Sequence, residues 1–290
     1  MMMRRPTAGG RVGSRLKARS AKLLKRSLGL STSWARPLPD FLILGAQRAG
    51  TSALYTYLAE HPNVKPASKK EIRYFDVHFE KGLLWYRSHF PSRSQLSRNQ
   101  KWFLTGEATP AYLYHPHVPE RVAHTLPGGR FVVLLRDPVE RAHSAWRLMV
   151  QLGHERLPFG DALEAEEARV GANEQQLFND RRYHSPELMH FAYLRRGIYA
   201  EQLERWFKWF PQGSFLIVRS EDLFERPAAG YQEVLRFLQL PVFQFNGYRP
   251  VHGVEGPPLE GRTREALKAF FKPHNERLYD LIGRDFQWDG

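Results

Sequence analysis

The segment Gly45–Ser52 combines residue types that bind phosphate groups. It has the spacing G-x-x-x-x-G-T-S. Glycines allow a tight turn, and the backbone N–H groups of such a turn and of a following helix face an anion. A loop for nucleoside triphosphates has Lys directly after the second Gly, whereas this chain has Thr51 there, and Arg48 is the loop's cation. The segment predicts a site for a shorter 5′-phosphate group; an ordinary turn before a helix is the alternative.

A second dense segment runs from Arg136 to Trp146. Arg136 follows an apolar run, which places it at the carboxyl tip of a strand, where open α/β sheets bind ligands. Arg141 and Ser144 are three residues apart and share a face of the next helix. Arg136 and Ser144 could therefore hold a second phosphate from a different direction. A solvent-facing charge is the alternative for Arg141.

Asp137 has two interpretations. With Glu140 it forms the pattern of a capping box, and Pro138 suits the first helical position. An acid at a strand end can also bind magnesium. We favour the cap.

Alternating apolar strands and helices must position these two segments. Continuous apolar runs predict buried strands, and each is followed by a helical pattern, which indicates a mostly parallel sheet covered on both faces, an α/β fold. The strands are 41–44, 131–135 and 215–218, and the helices are 51–60, 138–150 and 227–238.

The rest of the chain is mainly helical. Residues 151–195 are polar and read as helix and loop. A helix over 199–210 carries an apolar stripe of Leu203, Trp206, Phe207 and Phe210, which predicts a core face. A C-terminal helix starts near Thr263 and is interrupted at Pro273.

Composition excludes several classes of site. The 290 residues include no cysteine, so disulfides, thiolate catalysis and cysteine-bound zinc are excluded. His115 and His117 lack a third ligand nearby, and we predict no metal site. No apolar run approaches the roughly 20 residues of a membrane span.

The basic charge is concentrated at the amino terminus. Of the net +13, residues 1–40 contribute ten Lys/Arg and one Asp, and the remainder is nearly balanced. We therefore predict no nucleic-acid binding. We predict a flexible basic arm over 1–39 and one domain over 40–290. Leucines among the basic residues would allow a peripheral membrane contact, and an organelle transit peptide is a further interpretation.

Together the two segments resemble the sulfotransferases that use 3′-phosphoadenosine 5′-phosphosulfate (PAPS). In that family the first loop holds the 5′-phosphosulfate, and a segment R-x-P-x-x-R-x-x-S-x-W/Y holds the 3′-phosphate. The resemblance is greatest to the heparan sulfate type and covers Phe41 to Trp288. Four further segments carry it: 70–76, 106–112, 197–206 and 278–288.

The resemblance implies a P-loop type, three-layer α/β/α fold and in-line transfer of a sulfuryl group to an acceptor hydroxyl, without a metal. Glu71 matches the catalytic base, and Arg48 matches the cation at the leaving phosphate. Arg73 and Thr109 fall beside the acceptor. The residues that would bind PAPS are Arg48, Ala49, Gly50, Thr51, Ser52, Arg136, Ser144, His252 and Gly253.

Three departures from the heparan sulfate type bear on the acceptor and on nucleotide closure. Ala108 replaces a Lys, and Arg73 replaces a His. His252-Gly253-Val254 replaces a Lys-Gly-Arg loop, so Arg249 or Arg262 would have to take the place of its basic residues. We expect a hydroxylated acceptor, in the first place a carbohydrate. Another glycan, a lipid-linked sugar or a small metabolite also fits. We expect a cytoplasmic location, because the membrane-anchor segment of the eukaryotic branch is absent.

Two other functions remain open at this point. A P-loop ATP-dependent kinase would need a Lys after Gly50 and a strand-end acid for magnesium. A non-catalytic nucleotide-binding protein that docks on a membrane or polyanion through its arm would explain the changes at Ala108 and Val254.

Overall fold

A parallel sheet of four strands forms the centre of the molecule. The computed structural model describes residues 32–92, 101–245, 247–248 and 256–288. In these ranges the strand order is β2-β1-β3-β4, and all neighbours are parallel. All of β1 and nearly all of β3 are buried, as expected where helices cover both faces. The predicted α/β/α fold is confirmed. The strands are β1 (Phe41–Gly45), β2 (Gly106–Ala108), β3 (Arg130–Leu135) and β4 (Phe215–Arg219).

Helices flank the sheet and fill the polar region after β3. Those of the described ranges are α1 (Thr51–Ala59), α2 (Gly82–Arg87), α3 (Val118–Thr125), α4 (Pro138–Gln151), α5 (Phe159–Glu164), α6 (Glu166–Asn179), α7 (Pro186–Phe191), α8 (Tyr199–Phe207), α9 (Ser220–Glu225), α10 (Pro227–Phe237) and α11 (Gly261–Ile282).

The strand order places the two phosphate-binding segments side by side. The chain passes from β1 to β2 on one side and later returns to β3 on the other side of β1. Such a switch of direction opens a crevice at the carboxyl ends of the strands, where ligands bind in open α/β sheets. The loop after β1 and Arg136 after β3 both lie at this edge.

Aromatic packing against β3 fixes the far end of the sheet. The Phe131 ring centroid lies 5.3, 4.6 and 5.0 Å from those of Trp206, Phe210 and Phe215. The predicted core face of α8 is therefore confirmed, although the helix ends at Phe207 rather than at 210.

Helix α11 continues through Pro273, so the predicted interruption is wrong. A proline inside a helix removes one backbone hydrogen bond. Phe271 and Leu278, one on each side of it, are buried in the core and hold both halves of the helix in line.

The predicted basic arm falls mostly outside the described residues, and with it the predicted membrane contact. Its last part packs on the domain: Ser33–Ala35 form a 3-10 turn beside α2, and Arg87 Nε donates to the Arg36 carbonyl over 2.8 Å. Within the described ranges, every helix is too short or too polar to cross a bilayer.

Candidate active site

The loop after β1 is fixed along its length. Ala46 N–H donates to the Leu134 carbonyl over 2.6 Å, and Ser220 Oγ donates to the Ala49 carbonyl over 2.8 Å. Gly50 has φ 88° and precedes α1, and a Cβ there would lie 2.6 Å from the Phe224 ring. Only glycine suits this position. The turn thus delivers the loop to the amino end of α1, the arrangement in which backbone N–H groups bind phosphate.

Arg48 joins the two predicted phosphate segments. Its Nε donates to Ser144 Oγ over 3.0 Å, and its carbonyl accepts from Arg136 Nη1 over 3.2 Å. Burial and the nearby Arg136 charge lower the pKa of Arg48. Two guanidinium groups brought together at a partly buried edge repel each other, and an anion between them relieves that repulsion. The structure thus brings Arg48, Arg136 and Ser144 together.

Asp137 acts as the cap of α4. Its Oδ1 accepts from Val139 N–H over 2.8 Å, with Pro138 at the first helical position. The reciprocal half of the capping box is absent, because Asp137 N–H donates to Glu221 Oε1 over 3.0 Å. Glu140 instead pairs with Arg264 Nη1 at 2.6 Å. Burial raises the pKa of Asp137 to about 6.

Arg141 is fully buried, so the alternative of a solvent-facing charge is wrong. Its Nη2 donates to the Tyr193 carbonyl. Within the described ranges, its Nε and Nη1 have no hydrogen-bond partner. A buried guanidinium with unused donors is costly, and ordered water or an ion is a common partner of such a group.

Lys70 connects Glu71 to the residues that follow the phosphate loop. Lys70 Nζ donates to Ser52 Oγ over 2.6 Å and to Glu71 Oε1 over 2.9 Å. The Glu71 side chain is 46% exposed and can therefore meet an incoming acceptor. The sequence alone indicates no role for Lys70. The signal was its position directly before the predicted base.

A buried hydroxyl network lies behind Glu71. Glu71 N–H donates to the Ala108 carbonyl over 3.1 Å. The neighbouring Glu107 is fully buried and accepts from three hydroxyl groups, those of Tyr86 (2.7 Å), Thr109 (2.8 Å) and Tyr112 (3.1 Å). Burial raises the pKa of Glu107 to about 7. This network supports the segment that carries Glu71.

The two residues predicted to lie beside the acceptor substrate differ in their exposure. Arg73 is partly exposed and donates through Nε and Nη2 to Asp76 Oδ2 over 2.8 and 2.5 Å. Thr109 is fully buried, with its hydroxyl bound to Glu107. Ala108 is also fully buried.

The remaining predicted nucleotide residues are only partly described. Thr51 is buried at the start of α1, and Ser52 is exposed beside it. His252 and Gly253 lie outside the described residues. Arg262 is exposed near the start of α11.

These residues fit a nucleotide with two separate phosphate groups. The α1 amino end offers one phosphate position, and Arg136 and Ser144, both in contact with Arg48, offer another. A metal would need a different setting: in the described part of the chain, His, Asp and Glu side chains form no cluster of three suited to a metal ion.

Two known proteins are similar in sequence to most of this chain. The membrane-associated sulfotransferase kil1 of Dictyostelium discoideum is 29% identical over an alignment 316 positions long, which covers 87% of this chain and 66% of that protein. The heparan sulfate glucosamine 3-O-sulfotransferase 3A1 of Mus musculus is 29% identical over 280 residues, covering 88% and 66%. The chain thus spans just under two thirds of the length of these relatives.

A solved structure and a family pattern agree with them. The crystal structure of a sulfotransferase from Alicyclobacillus acidocaldarius superposes with a TM-score of 0.68 at 26% identity, covering 88% of this chain and 100% of that one. The pattern of the sulfotransferase domain matches residues 38–246, which include β1 to β4, both phosphate segments and Glu71. The chain therefore belongs to the sulfotransferase domain family.

Proposed function

We propose that the protein transfers a sulfuryl group from PAPS to a hydroxyl group of a carbohydrate acceptor. One observation carries the proposal: Arg48 contacts Ser144 and Arg136 on one side of the phosphate loop, while Lys70 connects Glu71 to Ser52 on the other. Cations for a phosphorylated donor and a carboxylate for an acceptor thus meet at one edge of the sheet.

The residues have distinct roles in the transfer. Glu71 takes the proton of the acceptor hydroxyl while the oxygen of that hydroxyl forms the new bond to sulfur. The bond from sulfur to the 5′-phosphate oxygen breaks in line, and adenosine 3′,5′-bisphosphate leaves. Arg48 and Lys70 stabilise the negative charge that develops on the departing phosphate oxygen. Glu71 then returns its proton to water.

The donor site favours PAPS over ATP. Thr51 stands where a loop for triphosphates needs Lys. The acid at the end of β3 is used as a helix cap. Arg136 and Ser144 offer donors for the 3′-phosphate, a group that ATP lacks.

The acceptor class rests on the relatives, several of which are named for heparan sulfate glucosamine. Arg73 and Ala108 replace a His and a Lys of that type. We therefore assign the broader class, a carbohydrate hydroxyl, to this chain.

Calorimetric titration tests the donor. We expect adenosine 3′,5′-bisphosphate to bind with micromolar affinity, about −8 kcal/mol, and 5′-AMP and Mg-ATP to bind far more weakly. Arg136→Ala should remove the preference for the 3′-phosphate. Arg236→Ala, an exposed arginine on α10, is the matched control. Preferred binding of ATP would replace this proposal with a kinase.

Turnover tests the base. Glu71→Gln should abolish sulfuryl transfer from PAPS to simple glycosides and leave the nucleotide affinity within about twofold, because the carboxylate acts on the acceptor. Glu80→Gln, also exposed, should keep full activity. Retained turnover in Glu71→Gln would refute the role of Glu71. Nucleotide binding by the wild-type chain without any turnover would favour a binding protein.

A further inference from the structure

A cavity of about 350 Å³ opens beside Arg73 and plays no part in the donor site. Its size is in the range of small-molecule pockets, which run from about 300 to 1,000 Å³. Most of its wall is carbon. The apolar lining residues are Val77, Ala111, Leu177, Pro186, Leu188 and Met189.

The backbone places this cavity next to Glu71. Ile72 is fully buried, and Glu71 and Arg73 on either side of it have positive φ angles of 57° and 60°. Both flanking side chains reach the surface, and Arg73 lines the cavity. Arg73 Nη1 lies 2.9 Å from Sδ of Met189, which also lines the cavity. The cavity therefore begins two residues along the chain from the proposed base.

The cations of the wall are already compensated. Arg73 is paired with Asp76, and Arg196 donates to the Leu188 carbonyl over 3.2 Å and stacks 4.7 Å from the Tyr114 ring. Such a wall offers little free positive charge to a sulfated chain.

Burial disfavours the charged form of three histidines of the wall. Burial lowers the pKa of His115 well below its usual value, and burial also lowers the pKa of His78 and of His190. The carbon side chains and the paired ions of the wall favour an uncharged guest.

We propose that this cavity binds an uncharged, apolar ring of the acceptor, such as an aryl group joined to the sugar that is sulfated. The inference rests on the proposed function, which makes the neighbourhood of Glu71 the acceptor side. It narrows the substrate class from carbohydrates in general to glycosides with an apolar aglycone.

Two glycosides that differ only in the aglycone test the proposal. The full chain, saturated with adenosine 3′,5′-bisphosphate, is titrated with phenyl β-D-glucopyranoside and with methyl β-D-glucopyranoside. We expect the phenyl compound to bind at least about tenfold more tightly, since its ring leaves water for an apolar wall. Equal affinities in the wild-type protein would overturn the inference.

Cavity-filling variants locate the preference. Ala111→Phe and, on another part of the wall, Val77→Phe should each bring the ratio of the two affinities close to one. Ala168→Phe, on the exposed face of α6, is the control and should keep the wild-type ratio. A preference that persists in filled variants would place the phenyl site elsewhere and contradict the inference.

Nucleotide binding is measured in every variant and reports folding. It also separates the two proposals. Failure of the wild-type chain to bind adenosine 3′,5′-bisphosphate would refute the donor assignment. Normal nucleotide binding without a phenyl preference would refute the apolar acceptor pocket alone.

Discussion

At the scale of single residues, two cationic side chains connect the segments of the candidate site. Arg48 reaches across from the first loop to Ser144 on α4, and Lys70 reaches back from the Glu71 segment to Ser52 on α1. The first contact joins residues 96 positions apart in the chain, and the second joins residues 18 positions apart. The two contacts therefore hold these segments in register, and in the proposed transfer the same side chains carry the positive charge at the departing phosphate.

Lys70 offers a test of this arrangement. Lys70→Ala should lower kcat by roughly 100-fold, the size of effect found when one donor to a developing negative charge is removed. The nucleotide affinity should change much less. Steady-state kinetics with PAPS and calorimetry with adenosine 3′,5′-bisphosphate measure the two effects. Lys69→Ala, an exposed neighbour, should behave as the wild type. A matching loss in both lysine variants would show a general charge effect.

At the scale of elements, the sequence predicts what local patterns control. Strands β1, β3 and β4 are continuous apolar runs, and each predicted range agrees with the structure to within one residue at either end. Strand β2 has three residues, too few to show any periodicity, and is recognisable only from its pairing with β1.

Contacts between distant segments could not be predicted in this way. The i, i+3 spacing of Arg141 and Ser144 shows that they share a face but not that the face is buried. Likewise, the partner of the Asp137 N–H is Glu221, which follows β4. The local spacing predicts Glu140 as the partner instead. Glu221 could not be predicted, because the sequence does not show how α9 packs against the start of α4.

The cap at Asp137 gives a prediction for α4. Asp137→Asn keeps a side-chain acceptor for the Val139 N–H, so its free energy of unfolding should stay close to that of the wild type. Asp137→Ala removes the acceptor and should cost about 1 kcal/mol. Urea unfolding measures both. If Asp137 bound magnesium for catalysis, Asp137→Asn would lose magnesium-dependent activity at unchanged stability, and the cap would not be its main role.

At the scale of the whole molecule, the buried carboxyl of Glu107 makes stability depend on pH. Its folded-state pKa of about 7 lies above the value of 4.5 expected for the unfolded chain. The folded state therefore holds the proton more tightly. This contribution to stability is complete below pH 4.5 and is lost as the pH rises through 7. The shift corresponds to about 3 kcal/mol.

Glu107→Gln should remove this part of the pH dependence, because the amide does not titrate. Its oxygen can still accept from Tyr86 and Tyr112, and its NH2 group can donate to the Thr109 hydroxyl, which turns to accept. Urea unfolding at pH 5 and pH 8 gives the loss of free energy over that interval, which should be smaller in Glu107→Gln than in the wild type by roughly 2–3 kcal/mol. The raised pKa of Asp137 acts in the same direction but is common to both proteins and cancels in the difference. Glu225→Gln, exposed on α9, should keep the wild-type dependence. An unchanged pH dependence in Glu107→Gln would mean that the carboxyl is ionised in the folded protein, held as an anion by Tyr86, Thr109 and Tyr112.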